Sequence, residues 1–214
     1  MNRGTRKAHW DRVWSEKDEN GTSWFQHRPG LSLELIEAAG VRPDEAVIDV
    51  GGGASRLVDH LLDAGFTDLA VLDIAAAGLA RARRRLGDRA AGVDWIECDV
   101  TAFRSRRRYR LWHDRAVFHF LRDARDRARY VAAMDRALAP DGQAVIATFA
   151  PDGPLRCSGL DTERYSGGGL AAELGPDWAL VEEREEVHRT PAGGEQLFGY
   201  YRFARAPDRP SESR

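Results

Sequence analysis

The sequence predicts a doubly wound α/β fold whose mostly parallel, seven-stranded sheet ends in a C-terminal antiparallel hairpin. Short β-branched runs alternate with longer stretches of helical period over residues 46–150, which is the pattern of a parallel sheet flanked by helices. A glycine-rich segment directly follows the first run, as in folds that bind a ligand at the end of a strand. Two further strand-like runs near the C-terminus are separated only by a short turn.

The composition indicates one globular domain and excludes several classes of protein. The 214 residues are 43% hydrophobic and 31% charged, which is enough for a single core. The net charge of −2 gives no global positive field, so we expect no nucleic-acid partner. No apolar stretch approaches the roughly 20 residues of a membrane span, and no signal region follows the N-terminus. We expect a cytoplasmic monomer or homodimer with no membrane partner.

Five strands are predicted first, separated by segments long enough for crossover helices. These strands are Ala46–Val50, Leu69–Ile74, Val93–Cys98, Tyr109–Ala116 and Gln143–Phe149. The clearest helix is predicted over residues 123–138, where apolar side chains recur at helical spacing. Pro140-Asp141-Gly142 is expected to stop this helix before the fifth strand.

The C-terminal part begins with a segment, residues 151–154, whose prolines and glycine break regular structure. The glycine triplet at residues 167–169 is expected to precede a short helix around Leu170–Leu174. The hairpin strands are predicted at Ala179–His188 and Gln196–Phe203, because the turn between them is short and glycine-rich.

The two ends of the chain differ from its middle. Residues 1–30 contain four large aromatic side chains outside the sheet pattern, at Trp10, Trp14, Trp24 and Phe25. Large apolar groups in such number are expected to pack against another part of the protein. We interpret residues 1–30 as an aromatic lid over the main domain of residues 31–206. Residues 207–214 are polar and predict a disordered tail.

Acidic residues accompany the glycine loop at three predicted strand ends. Asp73 ends the second strand, where a carboxylate accepts hydrogen bonds from both hydroxyls of a ribose. Asp99 follows the third strand, and Asp49 lies just before the glycines. A dinucleotide site requires a third glycine where this chain has Arg56. Asp49 would oppose a pyrophosphate but favour a cation, such as the sulfonium of S-adenosylmethionine.

These residues resemble the class I S-adenosylmethionine-dependent methyltransferases. Asp49-Val50-Gly51-Gly52-Gly53 is similar to that family's D-x-G-x-G loop, and the strand ends at Asp73 and Asp99 are similar to its ribose- and adenine-binding segments. The resemblance implies the class I methyltransferase fold, an S-adenosylmethionine cofactor, and methyl transfer. It implies cofactor contacts from Asp49, Gly51, Gly52, Gly53, Asp73, Ile74, Cys98, Asp99, Val100, Asp114, Trp14 and Trp24.

The end of the fourth strand is crowded with polar groups, His113, Asp114, Arg115 and His119. A mutual Asp–Arg or Asp–His network is one interpretation, because buried charges must pair. In the functional interpretation Asp114 positions the cofactor or substrate, and His119 or His113 removes a proton from the acceptor. Methyl transfer itself depends mainly on alignment of the reactants.

The acceptor is open among three hypotheses. The segment Asp114-Arg115-Ala116-Val117 resembles, at a distance, the D-K-G-T motif of the lysine methyltransferases that act on elongation factor and citrate synthase, with Arg, Ala and Val in place of Lys, Gly and Thr. We favour a small-molecule acceptor, with a protein lysine as the second hypothesis and an inactive cofactor-binding module as the third. Cys157, Tyr165 and Arg115 are the candidate substrate residues. The two cysteines, Cys98 and Cys157, have no metal-ligand spacing, so no metal is expected.

Overall fold

The computed structural model describes residues 3–16 and 18–207. The tail predicted at residues 207–214 lies outside this part of the chain, apart from Pro207. In the described ranges, no helix is both long enough and apolar enough to cross a bilayer.

The core is a sheet of seven strands, which confirms the predicted fold class. Within the described residues the strands in chain order are β1 (Val47–Val50), β2 (Leu69–Asp73), β3 (Val93–Glu97), β4 (Tyr109–Arg115), β5 (Leu138–Phe149), β6 (Arg156–Cys157), β7 (Leu160–Asp161), β8 (Trp178–Arg189) and β9 (Glu195–Arg205). The order in the sheet is β3-β2-β1-β4-β5-β9-β8, and β6 pairs only with β7. Strands β1 to β5 are parallel, whereas β9 runs antiparallel to both β5 and β8.

Helices cover both faces of the sheet. They are α1 (Arg3–Glu16), α2 (Gly30–Ala38), α3 (Leu57–Asp63), α4 (Ala76–Leu86), α5 (Ala124–Ala137) and α6 (Gly167–Leu174). Neighbouring strand residues face opposite sides, so Val71 joins the cluster with α2, α3 and α4, while Leu72 joins the cluster with α5 and α6. This alternation gives a doubly wound sheet whose strand ends meet at one edge.

Two predicted boundaries are wrong. Strand β5 begins at Leu138, not at Gln143, and the register between β4 and β5 shifts there. Pro140-Asp141-Gly142 was expected to separate the helix from this strand; it lies within β5 instead, and because Pro140 lacks an N–H group the segment bulges. The glycine triplet forms the first turn of α6, because the Ser166 hydroxyl caps that helix by accepting from Gly169 N.

Helices α1 and α2 and the β6–β7 hairpin were not expected from the sequence. The aromatic segment at the N-terminus contains helix α1. The short β6–β7 hairpin turns at Ser158 and Gly159, which have φ angles of 50° and 79°, as a two-residue hairpin turn requires.

Candidate active site

The glycine loop at the end of β1 brings main chain close to two other segments. Gly51 and Gly53 have φ angles of 70° and 45°, a region that favours glycine. A Cβ on Gly53 would lie 2.7 Å from the Trp14 ring, and a Cβ on Gly51 would collide with the Val117 side chain. The loop therefore has to be glycine at these two positions.

Asp49 belongs to a buried hydrogen-bonded chain with His113 and Ser32. The His113 Nδ1 atom lies 2.7 Å from Asp49 Oδ1, and the His113 Nε2 atom lies 2.9 Å from Ser32 Oγ. A carboxylate only accepts, so Nδ1–H donates to Asp49, while Nε2 is hydrogen-bonded to the serine hydroxyl. The other carboxylate oxygen, Asp49 Oδ2, is buried and has no hydrogen-bond partner among the described residues. His113, predicted as a base, thus orients Asp49.

Asp73 ends β2 and is only 7% exposed. Burial raises the pKa of its carboxyl to about 7, and the nearby Asp49 charge contributes in the same direction. Its Oδ1 accepts a hydrogen bond of 2.7 Å from Ala75 N. The carboxyl also borders the main cavity, beside Ile74.

Asp99 follows β3, and both of its carboxylate oxygens already have partners. Thr101 donates to Oδ1 from its amide at 2.9 Å and from its hydroxyl at 2.7 Å. Arg6 of α1 donates to Oδ2 from Nη2 at 2.9 Å and from Nε at 3.2 Å. The expected contact between this carboxylate and an adenine amino group would require one of these donors to move.

Helix α1 is fastened over this edge of the sheet by two basic residues. Arg6 also pairs with Asp126 of α5 at 2.6 Å, and Lys7 pairs with Glu97 of β3 at 2.8 Å. The Arg6 side chain is only 10% exposed, so its ion pairs are more strongly coupled than those on an open surface.

An aromatic cluster lies beneath α1. Trp24 makes edge contacts with the rings of Trp10 and Trp14, both at 5.8 Å between centroids. Trp10 also contacts Phe120 at 5.1 Å. These four side chains form one wall of the main cavity, and Trp14 is buried at 5% exposure.

Two cavities adjoin the glycine loop. The first is bordered by Asp73 and Gly51, and its walls also include Ile74, Cys98, Asp99, Val100, Ala116, Val117, Phe120, Leu121 and Cys157. The second lies between the loop and residues 22–32, and its walls include Asp49, Gly52, Ser32, Arg56 and His113. Gly51, Trp14, Trp24 and Arg115 border both cavities.

Asp114 does not border either cavity, which corrects the interpretation of this residue as a cofactor or acceptor contact. It is fully buried, and its carboxylate accepts hydrogen bonds from Val117 N at 2.8 Å, Phe118 N at 3.1 Å and Tyr130 Oη at 2.6 Å. Burial raises the pKa of Asp114 to about 6, although these hydrogen bonds oppose the change. Its contacts fix the turn after β4 onto α5.

His119 is likewise away from the cavity walls, and this placement argues against a role as general base. It is fully buried against the rings of Phe120 and Phe149, at 4.4 and 4.7 Å. Burial lowers its pKa to about 3, and the Arg115 charge acts in the same direction. Phe149 N donates to its Nδ1 at 3.3 Å.

The three candidate substrate residues do not lie together. Cys157 and Arg115 border the first cavity. Tyr165 instead packs in the core against Phe118, at 5.4 Å between ring centroids. Among the wall residues that were not predicted are Arg6, Phe120 and Ser32, because their sequence neighbourhoods carry no motif and only tertiary contacts bring them here.

Residues 47–142 match the family model described as "Methyltransferase domain". Among curated proteins, the eEF1A lysine and N-terminal methyltransferase of Mus musculus is 26% identical over 95 residues, which are 44% of this chain and 13% of that protein. The protein of the same name from Danio rerio is 25% identical over 149 residues, 67% of this chain and 21% of that protein. The chain therefore spans only a small part of these relatives.

Solved structures match over nearly the whole chain. The 1,6-didemethyltoxoflavin-N1-methyltransferase of Burkholderia thailandensis, solved with S-adenosylhomocysteine, has a TM-score of 0.70 at 19% identity and covers 97% of this chain and 92% of its own. The N-methyltransferase NodS of Bradyrhizobium japonicum has a TM-score of 0.69 at 16% identity, with 92% and 98% covered. The family match, the strand order and the glycine loop agree: residues 47–142 are similar to a methyltransferase domain, and the chain has the class I methyltransferase fold.

Proposed function

We propose that this protein transfers the methyl group of S-adenosylmethionine to a small, largely apolar acceptor. The observation that carries the proposal is the first cavity, whose walls combine Asp73 and the glycine loop at Gly51 with the apolar side chains of Phe120 and Leu121. A largely apolar cavity with a few polar groups in its wall is typical of a site that binds small molecules.

The chain's own groups fit this cofactor. The buried Asp49 Oδ2 atom lacks a donor, so a cationic group of a ligand would satisfy it. We assign Asp73 to the ribose hydroxyls and the walls at Ile74, Cys98 and Val100 to the adenine. When bound, S-adenosylmethionine supplies an activated methyl group, and the aromatic wall excludes water from it.

The proposed reaction proceeds without a histidine base. Neither His113, which is held between Asp49 and Ser32, nor the buried His119 borders the first cavity. Catalysis then rests on holding the acceptor in line with the methyl group, which is the main requirement of methyl transfer. The acceptor nucleophile would have to be unprotonated on arrival.

A protein-lysine acceptor is the second candidate, since the curated relatives carry that activity in their names. The largely apolar wall formed by Trp10, Trp14, Trp24 and Phe120 favours the small molecule over a charged lysine side chain. An inactive cofactor-binding module is the third candidate. The cytoplasmic location and the monomeric or homodimeric state remain predictions.

The test is a transfer assay with methyl-labelled cofactor, offered separately to metabolite and protein fractions of the source cell. We expect label in the metabolite fraction, and none with the Asp73→Ala variant. Label in protein would favour the lysine hypothesis. Binding of S-adenosylhomocysteine without label in either fraction would favour the inactive module.

A further inference from the structure

Arg115 is the last residue of β4 and stands where the two cavities meet. Its guanidinium is fixed on two sides, because Nε donates to Tyr200 Oη at 2.8 Å and Nη1 donates to the Trp24 carbonyl at 3.0 Å. The group also lies over the Phe198 ring, 4.4 Å from its centroid. The side chain is only 10% exposed, so its orientation is set by the fold.

The third guanidinium nitrogen, Nη2, is a buried donor with no hydrogen-bond partner in the described part of the chain. Its nearest opposite charge is Glu186 Oε2, at 3.9 Å. That carboxylate already accepts from Tyr200 Oη at 2.9 Å and from Gln26 Nε2 at 3.0 Å. A buried charged donor without an acceptor is costly, and an anion in the adjoining cavity would remove that cost.

The second cavity is also bordered by a buried hydrogen-bond acceptor that has no donor among the described residues. Asp49 Oδ2 is buried without a donor, while Oδ1 is occupied by His113. An unpartnered cationic donor and an unpartnered anionic acceptor therefore border one cavity beside Gly51. A zwitterion satisfies both atoms, and S-adenosylmethionine ends in an α-amino acid.

We propose that Arg115 binds the α-carboxylate of the cofactor's amino-acid group through Nη2, with that group seated in the second cavity. This inference rests on the proposed function. It leaves the part of the first cavity near Phe120 and Cys157 to the acceptor. Arginine suits this task because its delocalised charge is retained when buried and its remaining donors hold it rigidly.

Calorimetric titration with two ligands tests the assignment. S-adenosylhomocysteine has the amino-acid group, whereas 5′-methylthioadenosine has the same nucleoside without it. We expect Arg115→Gln to weaken the first ligand about tenfold to a hundredfold, as for a lost charge-assisted hydrogen bond, and to leave the second within about threefold. Arg115→Lys should recover part of the loss.

Two further variants separate binding from a merely structural role. Arg202→Gln removes a partly buried arginine of β9 that pairs with Glu182, and it should change neither affinity. Glu186→Gln removes the charge that competes for Arg115, so S-adenosylhomocysteine should bind as well or better. Equal losses for both ligands in Arg115→Gln, or an equal loss in Glu186→Gln, would overturn the inference.

Unchanged S-adenosylhomocysteine affinity in Arg115→Gln would also overturn it, even if labelled methyl transfer is lost, because Arg115 would then serve an acid group of the acceptor. Failure of the proposed function has a different signature. In that case neither ligand binds the unaltered protein at micromolar concentrations.

Discussion

Asp73 has a carboxyl whose pKa burial raises to about 7. Ribose hydroxyls donate to the ionised form, so cofactor binding favours loss of the proton. We expect the affinity for S-adenosylhomocysteine to rise by up to about tenfold per pH unit from pH 5 to 7, and to level off above pH 8. Titration calorimetry across this range measures the slope.

Asp73→Asn should remove the slope and lower the affinity at pH 8. Asp94→Asn, on the exposed side of β3, serves as the matched control and should keep the slope. The raised pKa also has a consequence for the free protein. The folded state holds a proton that the unfolded state releases, so Asp73 contributes stability below its unfolded pKa of about 4 that is lost as the pH rises through 7. An affinity independent of pH would contradict the ribose assignment.

Ala116 is strained, with a φ angle of 71° at the turn after β4. A non-glycine residue in this region costs about 1–2 kcal/mol. The D-K-G-T motif has glycine at this place, which indicates a turn that requires it. We expect Ala116→Gly to raise the free energy of unfolding by up to about 1 kcal/mol, after the larger unfolded-state entropy of glycine is subtracted. Denaturant unfolding measures this change.

Ala147 provides the control for Ala116, because its carbonyl accepts the Ala116 N–H at 2.9 Å while it lies within β5. Ala147→Gly should lower the free energy of unfolding by about 1 kcal/mol, since glycine weakens a strand. Destabilisation by both changes would mean that the Ala116 methyl group contributes packing that outweighs its strain.

At the scale of elements, α1 depends on Arg6 for its place over the sheet. Arg6 joins this helix to Asp99 and to Asp126. Arg6→Gln should speed hydrogen exchange in α1 by roughly tenfold or more, for the loss of at least one charge-assisted hydrogen bond. The affinity for S-adenosylhomocysteine should fall as well, because the aromatic wall beneath α1 loses its support.

Arg12→Gln is the control within α1, since Arg12 is exposed and its guanidinium contacts the neighbouring His9 ring. It should leave both exchange and affinity unchanged. If Arg6→Gln also leaves both unchanged, the interpretation of residues 1–30 as a lid over the cofactor loses its support.

The elements predicted from sequence are those with local signals. The glycine loop, the strand ends at Asp73 and Asp99 and the C-terminal hairpin are each marked by a few adjacent residues, and the structure places them as predicted. Helix α1 was not predicted because its apolar side chains form the aromatic wall and do not recur at the regular spacing of an amphipathic helix. The start of β5 was predicted too late because the strand begins before Pro140 and continues beyond a bulge.

The roles of single residues in the site could likewise be predicted only where they depend on neighbours in the sequence. Asp114 lies in a motif, yet its role follows from the hydrogen bond that it accepts from Tyr130 on α5. His113 was expected to act on a substrate, but Ser32, on α2, holds its far nitrogen. Such pairings between distant segments cannot be derived from spacing, so the sequence indicates where the polar groups cluster but not which of them face the cavity.

At the scale of the whole molecule, the parallel strands bring the three acidic strand ends to one edge of the sheet, where α1 closes over them. A ligand that binds only this folded arrangement stabilises the entire domain. At a hundred times its dissociation constant, S-adenosylhomocysteine would add about 2.7 kcal/mol. For a chain of this size we expect the melting temperature to rise by about 5–10 °C.

NAD is the discriminating comparison, since it shares the adenosine but continues through a pyrophosphate. The pyrophosphate requires glycine where this chain has Arg56, and Trp14 lies against Gly53 on the loop. We expect NAD to give no shift in melting temperature at millimolar concentration, and Asp73→Ala to lose most of the shift with S-adenosylhomocysteine. Equal shifts from the two ligands would mean that the fold selects only for adenosine, and that neither Asp49 nor Arg115 distinguishes a zwitterion from a pyrophosphate.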